Sequence, residues 1–335
     1  MKPSILVARA VFPDVVERMR RHFEVVDNAD DRILGKAGLI EALRGHAGAF
    51  ITATEPIDAE LLDAHPQLLA LATMAVGYNN IDVAACSARG VLVTNTPDVL
   101  TETTADFGFA LLLAAARRLT EGERLIRAGG WKQWRYDMMV GADVHGATLG
   151  VLGMGRIGSA IARRGALGFG MQVLYHNRSR LDAAAEAALH ARWVDKTALL
   201  READHLVVVV PYSPATHHAI GAAELALMKP TATLVNIARG GVVDDAALAE
   251  ALRERRIGAA GLDVFEGEPA LDPALLELPN VALTPHMASA SVAARRGMAE
   301  LAADNLIAAL TGGAPKTPLN PQVLPRLAER LGRAA

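Results

Sequence analysis

Three residues in the second half of the chain carry complementary chemistry: Arg239, Glu268 and His286. Arg239 follows the β-rich run ATLVNI, Glu268 follows AAGLDVFEG, and His286 follows NVALTP. In an open parallel α/β sheet the carboxyl ends of the strands meet at one edge, and ligands bind there. The sequence therefore aims a fixed cation, a carboxylate and an imidazole at one crevice. A guanidinium can grip a carboxylate or carbonyl oxygen through its planar fork. An imidazole moves protons near neutral pH, and a carboxylate on its other nitrogen fixes the ring. Upstream, GMGRIG at 153–158 suggests what else occupies the crevice. Together the motifs read as a hydride-transfer site.

GMGRIG has the GxGxxG spacing of a dinucleotide loop. It follows the apolar run TLGVL and opens the helical run RIGSAIARRGALGF, the context such a loop requires. Gly153 permits a tight turn, Gly155 lets the backbone approach a pyrophosphate, and Gly158 allows close helix–strand packing. The phosphate then meets the positive end of the helix at Arg156 and Ile157. The next strand ends in HNRSR at 176–180. Sites that prefer NAD place an Asp or Glu near this point to accept from the ribose 2′-hydroxyl. Here stand Asn177, Arg178, Ser179 and Arg180, and guanidinium and hydroxyl groups bind a 2′-phosphate. The expected cofactor is NADP(H), with NAD(H) possible if the arginines form only a solvated turn.

Other polar residues are weaker candidates. His217 and His218, in PATHHAIG, lack Cys or carboxylate neighbours at metal-ligand spacing, so no metal is expected. His145, His176 and His205 read as structural or exposed. Val76 and Gly77, in AVGYNNID, can present successive backbone N–H groups to a carboxylate. The alternative is a plain strand-to-helix turn. For Arg239 the alternative is a helix cap or an interdomain salt bridge. The one cysteine, Cys86, reads as a small buried side chain.

The elements that must position these residues are α/β throughout. The 335-residue chain is 51% hydrophobic and 21% charged, with a net charge of −3, enough for two domains and without a basic stripe for nucleic acid. Residues 5–10, 47–53, 68–74 and 90–96 read as strands separated by helical runs, hence a parallel sheet with crossover helices. A long helix starts near Thr101, and its apolar core FGFALLLAAA is too short to span a bilayer. A second α/β series follows: TLGVLGMG, QVLYHN, HLVVVV, TLVNIAR, AGLDVF and VALTPH. Another helix comes after His286, and the Pro-rich tail from Ala314 reads as loosely ordered up to a last short helix. The start, MKPSILVARAVF, reads as a first strand rather than a signal peptide, so the expected location is the cytoplasm.

With VGYNNID, TETTADFGFALLLAAARR, LGVLGMGRIG, VNIARGGVVDDAAL, GLDVFEGEP and LTPHMAS in this order, the chain resembles the D-isomer-specific 2-hydroxyacid dehydrogenases. HNRSR points within the family to the NADP(H)-dependent glyoxylate/hydroxypyruvate reductase and 2-ketogluconate reductase branch. The resemblance implies two similar doubly wound domains. A flavodoxin-like substrate domain would comprise residues 1–100 plus 287–335, and a Rossmann nucleotide domain residues 101–286. It implies reduction of a small 2-keto acid, with His286 as proton donor, Glu268 on its other nitrogen, and Arg239, Val76 and Gly77 holding the substrate. It also implies that Thr104, Pro211, Tyr212, Thr216, Ala238, Asp263, His286 and Ala288 line the cofactor cleft. A homodimer follows as well, with Trp131–Tyr136 in an arm. Two other readings fit the same resemblance: an NAD-dependent dehydrogenase of the phosphoglycerate or formate type, and a dinucleotide-sensing corepressor-like binding protein.

Overall fold

The computed structural model describes residues 2–332, which divide into two compact units: residues 2–100 with 291–332, and residues 101–290. Met1 and residues 333–335 of the expected substrate domain lie outside the described residues. The chain passes to the second part of its first unit after residue 290 rather than after 286. The reason is local bonding. The Ala288 N–H donates to the Asp263 carboxylate at 2.8 Å and Ala290 N–H to the Met287 carbonyl at 2.8 Å, which keeps 287–290 on the nucleotide unit. Ser291 then starts a new element by capping the helix Val292–Thr311.

The first unit is a five-stranded parallel sheet: β1 (Ser4–Val7), β2 (Glu24–Asp27), β3 (Gly48–Ile51), β4 (Ala70–Thr73) and β5 (Leu92–Thr94). The order β2-β1-β3-β4-β5 is the flavodoxin-like one. Alternate residues serve opposite faces. Ile5, Val7, Phe50, Ala72 and Leu92 pack on Met19, Phe23 and the long helix through Ala299, Ala303 and Leu306. Leu6, Ala49, Ile51, Leu71 and Val93 pack on Leu39, Leu61, Leu62 and Cys86. Burial pushes the Cys86 thiol up to about 12, so it is inert packing at neutral pH. The tail differs from expectation. Asn320 accepts from Val93 N–H at 2.8 Å and donates to the Val91 carbonyl at 2.9 Å, while Thr317 Oγ1 donates to the Asn95 carbonyl at 2.6 Å. These bonds seat the segment along β5, ahead of the helix Leu324–Arg330.

The second unit has seven parallel strands: β6 (Thr148–Leu152), β7 (Gln172–His176), β8 (Ala191–Trp193), β9 (His205–Val208), β10 (Thr233–Asn236), β11 (Ala259–Leu262) and β12 (Val281–Leu283). Their order, β12-β11-β10-β9-β6-β7-β8, is the Rossmann arrangement with a seventh strand at one edge. The order reverses at β6, the strand that feeds the glycine loop. The helix Thr101–Ala116 packs on the same sheet. A Cβ at Gly108 would lie 2.6 Å from Ile237 Cδ1, and one at Gly261 would lie 2.7 Å from Leu111 Cγ, so helix and sheet meet through glycine. No helix among the described residues is long and apolar enough to cross a membrane.

Candidate active site

Arg239, Glu268 and His286 sit in the loops after β10, β11 and β12. At the end of β10 a fully buried Asn236 ties off the turn: its Oδ1 accepts from Ala238 N–H at 3.1 Å, and its Nδ2 donates to the Arg239 carbonyl at 3.3 Å. Gly240 is obligatory, because a Cβ there would stand 1.7 Å from the Phe265 carbonyl oxygen. Gly241 follows at φ +78°, a left-handed conformation that glycine adopts without strain. Arg239 is half-buried and donates to the Ala238 carbonyl at 2.7 Å. Burial holds its guanidinium below the usual arginine value, opposed by the Glu268 charge, and it remains a cation at neutral pH.

The β11 loop supplies two carboxylates with different tasks. Asp263 is fully buried and gathers the loop that carries His286. Its Oδ1 accepts from Thr284 Oγ1 at 2.7 Å and Met287 N–H at 2.8 Å, its Oδ2 accepts from Ala288 N–H at 2.8 Å, and its carbonyl accepts from His286 N–H at 2.9 Å. These bonds hold His286 at φ +52°, a left-handed backbone uncommon for a residue with a side chain. Glu268 lies further along, six residues past the end of β11. Its Oε1 accepts from Phe265 N–H at 2.8 Å and its Oε2 meets His286 Nδ1 at 2.8 Å. Desolvation pushes this carboxyl up. The His286 contact, the Phe265 N–H and the charges of His286 and Arg239 outweigh it and leave the group below its ordinary value. An ionised Glu268 can only accept, so Nδ1 of His286 carries the shared hydrogen and Nε2 is the nitrogen that faces away.

The glycine loop follows β6. Gly153 adopts φ +105°, and a Cβ there would meet the Val209 carbonyl carbon at 2.8 Å. A Cβ at Gly158 would lie 2.2 Å from the Gly153 carbonyl oxygen. A Cβ at Gly155 would meet nothing within 4 Å, so this glycine leaves open space in front of the helix Arg156–Arg163. That cradle, ahead of a helix N-terminus that begins at Arg156 and Ile157, suits a pyrophosphate. The Thr104 hydroxyl, buried and without a hydrogen-bond partner among the described residues, is a further polar atom that a ligand can satisfy.

The turn after β7 is tied to this loop. Asn177 Oδ1 accepts from Met154 N–H at 2.7 Å, and its Nδ2 donates to the Met154 carbonyl at 3.2 Å. Arg178, Ser179 and Arg180 are exposed, but Arg180 is paired to Glu186. After β9, Thr216 Oγ1 donates to the Pro211 carbonyl at 2.8 Å and accepts from Ser213 N–H at 2.8 Å, closing that turn on itself. Ala238 uses its carbonyl on Arg239.

Several partners do not follow from spacing along the chain. Glu266 reaches the histidine pair, with His218 Nε2 2.8 Å from its Oε1, while His217 and His218 stack at 3.9 Å between ring centroids. The ligating atoms of all three lie within 4.8 Å of one another. This is the carboxylate neighbour that was missing from the local sequence. Asn236, Tyr175 and Glu186 were likewise hidden within strands and an alanine-rich helix. In the first unit, Val76 and Gly77 lie in the bend after β4, where the Val76 carbonyl accepts from Asn95 Nδ2 at 2.9 Å.

Residues 109–288 match the family model for the NAD binding domain of D-isomer specific 2-hydroxyacid dehydrogenases. A glyoxylate reductase of Thermococcus gammatolerans is 48% identical over 328 residues, 97% of this chain and 98% of that protein. A glyoxylate/hydroxypyruvate reductase B of Klebsiella pneumoniae is 45% identical over 330 residues, 96% of this chain and 100% of that one. Among solved structures, the NADPH-dependent glyoxylate/hydroxypyruvate reductase of Sinorhizobium meliloti, in complex with NADP and malonate, superposes with a TM-score of 0.84 at 39% identity. The alignment covers 95% of this chain and 97% of that one.

Proposed function

The chain belongs to the D-isomer-specific 2-hydroxyacid dehydrogenase family and is an NAD(P)-dependent oxidoreductase, and from that premise we propose that it reduces glyoxylate and hydroxypyruvate, with NADP(H) as the preferred cofactor. The product is the 2-hydroxy acid, of D configuration where it is chiral; 2-ketogluconate is a further substrate of the same class. The observation that carries this reading is the 2.8 Å contact between His286 Nδ1 and an ionised Glu268. It fixes the imidazole with Nε2 directed outward, where a proton can be given to a carbonyl oxygen as that oxygen gains charge.

The residues then divide the work. When bound, the dinucleotide supplies the hydride. Gly153, Gly155, Arg156 and Ile157 hold its pyrophosphate, and Arg178 with Ser179 meets the 2′-phosphate. Arg239 grips the substrate carboxylate or carbonyl oxygen through its fork. Glu268 fixes the ring through Nδ1, and His286 donates the proton. Asp263, in this reading, serves the cleft by shaping the loop that bears His286. The proposal extends to a cytoplasmic homodimer, in which a second copy covers the exposed Trp131, Trp134 and Tyr136.

A substrate panel tests the reading. Glyoxylate, hydroxypyruvate, pyruvate and 2-ketogluconate are each reduced with NADPH and with NADH, and kcat/KM is compared. The expected result is highest efficiency for glyoxylate or hydroxypyruvate with NADPH. Inactivity on all four acids, or activity confined to phosphoglycerate or formate oxidation with NAD, contradicts it.

A further inference from the structure

The HNRSR turn contains two arginines, and the structure gives them different surroundings. Arg178 and Ser179 are exposed, and their side chains make no hydrogen bond among the described residues. Arg180 is bound in a fork: its Nε donates to Glu186 Oε1 at 2.8 Å and its Nη2 to Glu186 Oε2 at 2.7 Å. Glu186, on the short helix Ala183–Ala188, is only 8% exposed. Its Oε1 also accepts from the hydroxyl of Tyr175, a fully buried residue of β7, at 2.7 Å. The same hydroxyl accepts from Leu181 N–H at 2.8 Å. A buried phenol, a buried carboxylate and a guanidinium thus close a ring from strand to helix and back to the turn. The opposite end of the turn is held by the two hydrogen bonds between Asn177 and the Met154 backbone, and by Trp193 Nε1 donating to the Asn177 carbonyl at 3.2 Å.

We propose that Arg180 is a positioning residue for the 2′-phosphate site: it locks the turn through Glu186 and Tyr175, and the phosphate itself is met by Arg178 and Ser179. The inference rests on the NADP(H) reading above. Its physical basis is that a guanidinium with two of its donors aligned on one carboxylate has its planar fork committed, so it cannot offer that fork to a phosphate as well. The pairing also screens Glu186. A bare carboxylate beside the turn would repel a dianionic phosphate, and Arg180 cancels that charge. Pairing with Arg180 and the Tyr175 hydroxyl, against a smaller cost of desolvation, holds the Glu186 carboxyl down to about 2, so it is ionised at every pH at which the enzyme would be assayed. Finally, the ring orders the segment whose two free side chains must converge on one ligand group, which lowers the entropy lost on binding.

The test is a double-mutant cycle on full-length protein, reading Kd for NADPH and for NADH at one ionic strength. Tyr175→Phe keeps the ring and every charge but removes the hydroxyl. Arg180→Ala removes the fork. If both act through one lock, each weakens NADPH by roughly 3- to 10-fold, NADH moves far less, and the double variant is no worse than the weaker-binding single one. Multiplying effects would mean that Arg180 touches the phosphate independently, and equal losses for NADH would mean generic packing; either result overturns the inference. Arg180→Lys gives a second arm should Tyr175→Phe fail to fold. Lys keeps the cation that screens Glu186 but not the fork, so it should recover only a small part of the Ala loss, whereas a direct charge contact would be largely rescued. Wild type and Arg178→Ala separate this inference from the reading beneath it. If wild type shows no NADPH preference and Arg178→Ala changes nothing, the cofactor reading fails and takes the inference with it. If both behave as expected and the cycle is multiplicative, only the role given to Arg180 fails.

Discussion

At His286 an uncommon backbone and an oriented side chain occur in the same residue. The left-handed φ of +52° is held by Asp263, and the ring by Glu268 at 2.8 Å. Strain of this kind costs on the order of 1–3 kcal/mol and persists only where surrounding bonds over-determine it. Glu268 sits below the ordinary carboxylate value, so it stays ionised through the neutral range and accepts from His286 Nδ1 at 2.8 Å. Glu268→Gln keeps the shape and deletes that charge. The carboxamide should hold the ring less firmly, so kcat for keto-acid reduction should fall by roughly 10- to 100-fold while the NADPH Kd is retained. An unchanged kcat in the folded variant would remove Glu268 from the unit that orients His286. Arg239→Lys keeps a charge but loses the planar fork. It should raise the substrate KM by at least about tenfold and lower kcat as well, the scale of a lost charge-assisted pair. Steady-state kinetics with glyoxylate check this, and unchanged constants would return Arg239 to a purely structural role.

At the scale of elements, the decisive feature is a set of strand-end loops tied by buried side chains. Asp263 collects Thr284, Met287 and Ala288, so Asp263→Asn should turn one acceptor into a donor that faces another donor. The loss should be on the order of 2 kcal/mol of stability, with kcat reduced more than the Kd for cofactor. Thermal unfolding and single-turnover kinetics read the two effects separately. Glu186 gives an acid-dependent counterpart. Its folded value of about 2 lies below its ordinary value of 4.5, so its stabilising effect is complete above about 4.5 and is lost as pH falls towards 2. The difference in Tm between wild type and Glu186→Gln should therefore shrink between pH 6 and pH 3; a constant difference would argue against the ionic lock. The long strands were legible because parallel strands buried on both faces read as near-continuous Val, Leu and Ile. β2 and β8 were not: each is short, edge-placed and partly exposed, so neither run stands out as apolar. The tail after Ala314 looked loose because its anchors are single polar residues: Thr317 and Asn320 bond to Asn95 and Val93, more than two hundred residues earlier. For the same reason Glu266 beside His217 and His218 could be found only in three dimensions. Arg239, Glu268 and His286 stood out because each follows a run that reads as a strand, whereas Asp263 and Asn236, which tie their loops, sit among apolar residues and carry no such signal.

On the scale of the whole molecule, two parallel-sheet units of related design supply different chemistry. The second carries the glycine cradle, the HNRSR turn and the Arg239, Glu268 and His286 loops, all after strands of one sheet. Cofactor choice is a property of that unit. Arg178→Ala should weaken NADPH by tens-fold, since a charge-assisted contact contributes about 1.5–3 kcal/mol, and should leave NADH nearly untouched. Adding Asn177→Asp should move the preference further towards NADH, at some cost in affinity for both cofactors, because one Asp oxygen would then face the Met154 carbonyl. The ratio of catalytic efficiencies, measured at fixed ionic strength, reports the outcome. The most direct test of the central claim is the turnover of folded His286→Ala in glyoxylate reduction with saturating NADPH. Loss of about 100-fold or more in kcat, with NADPH Kd retained, is the result expected for a general acid. Near-wild-type turnover in that variant would contradict the account.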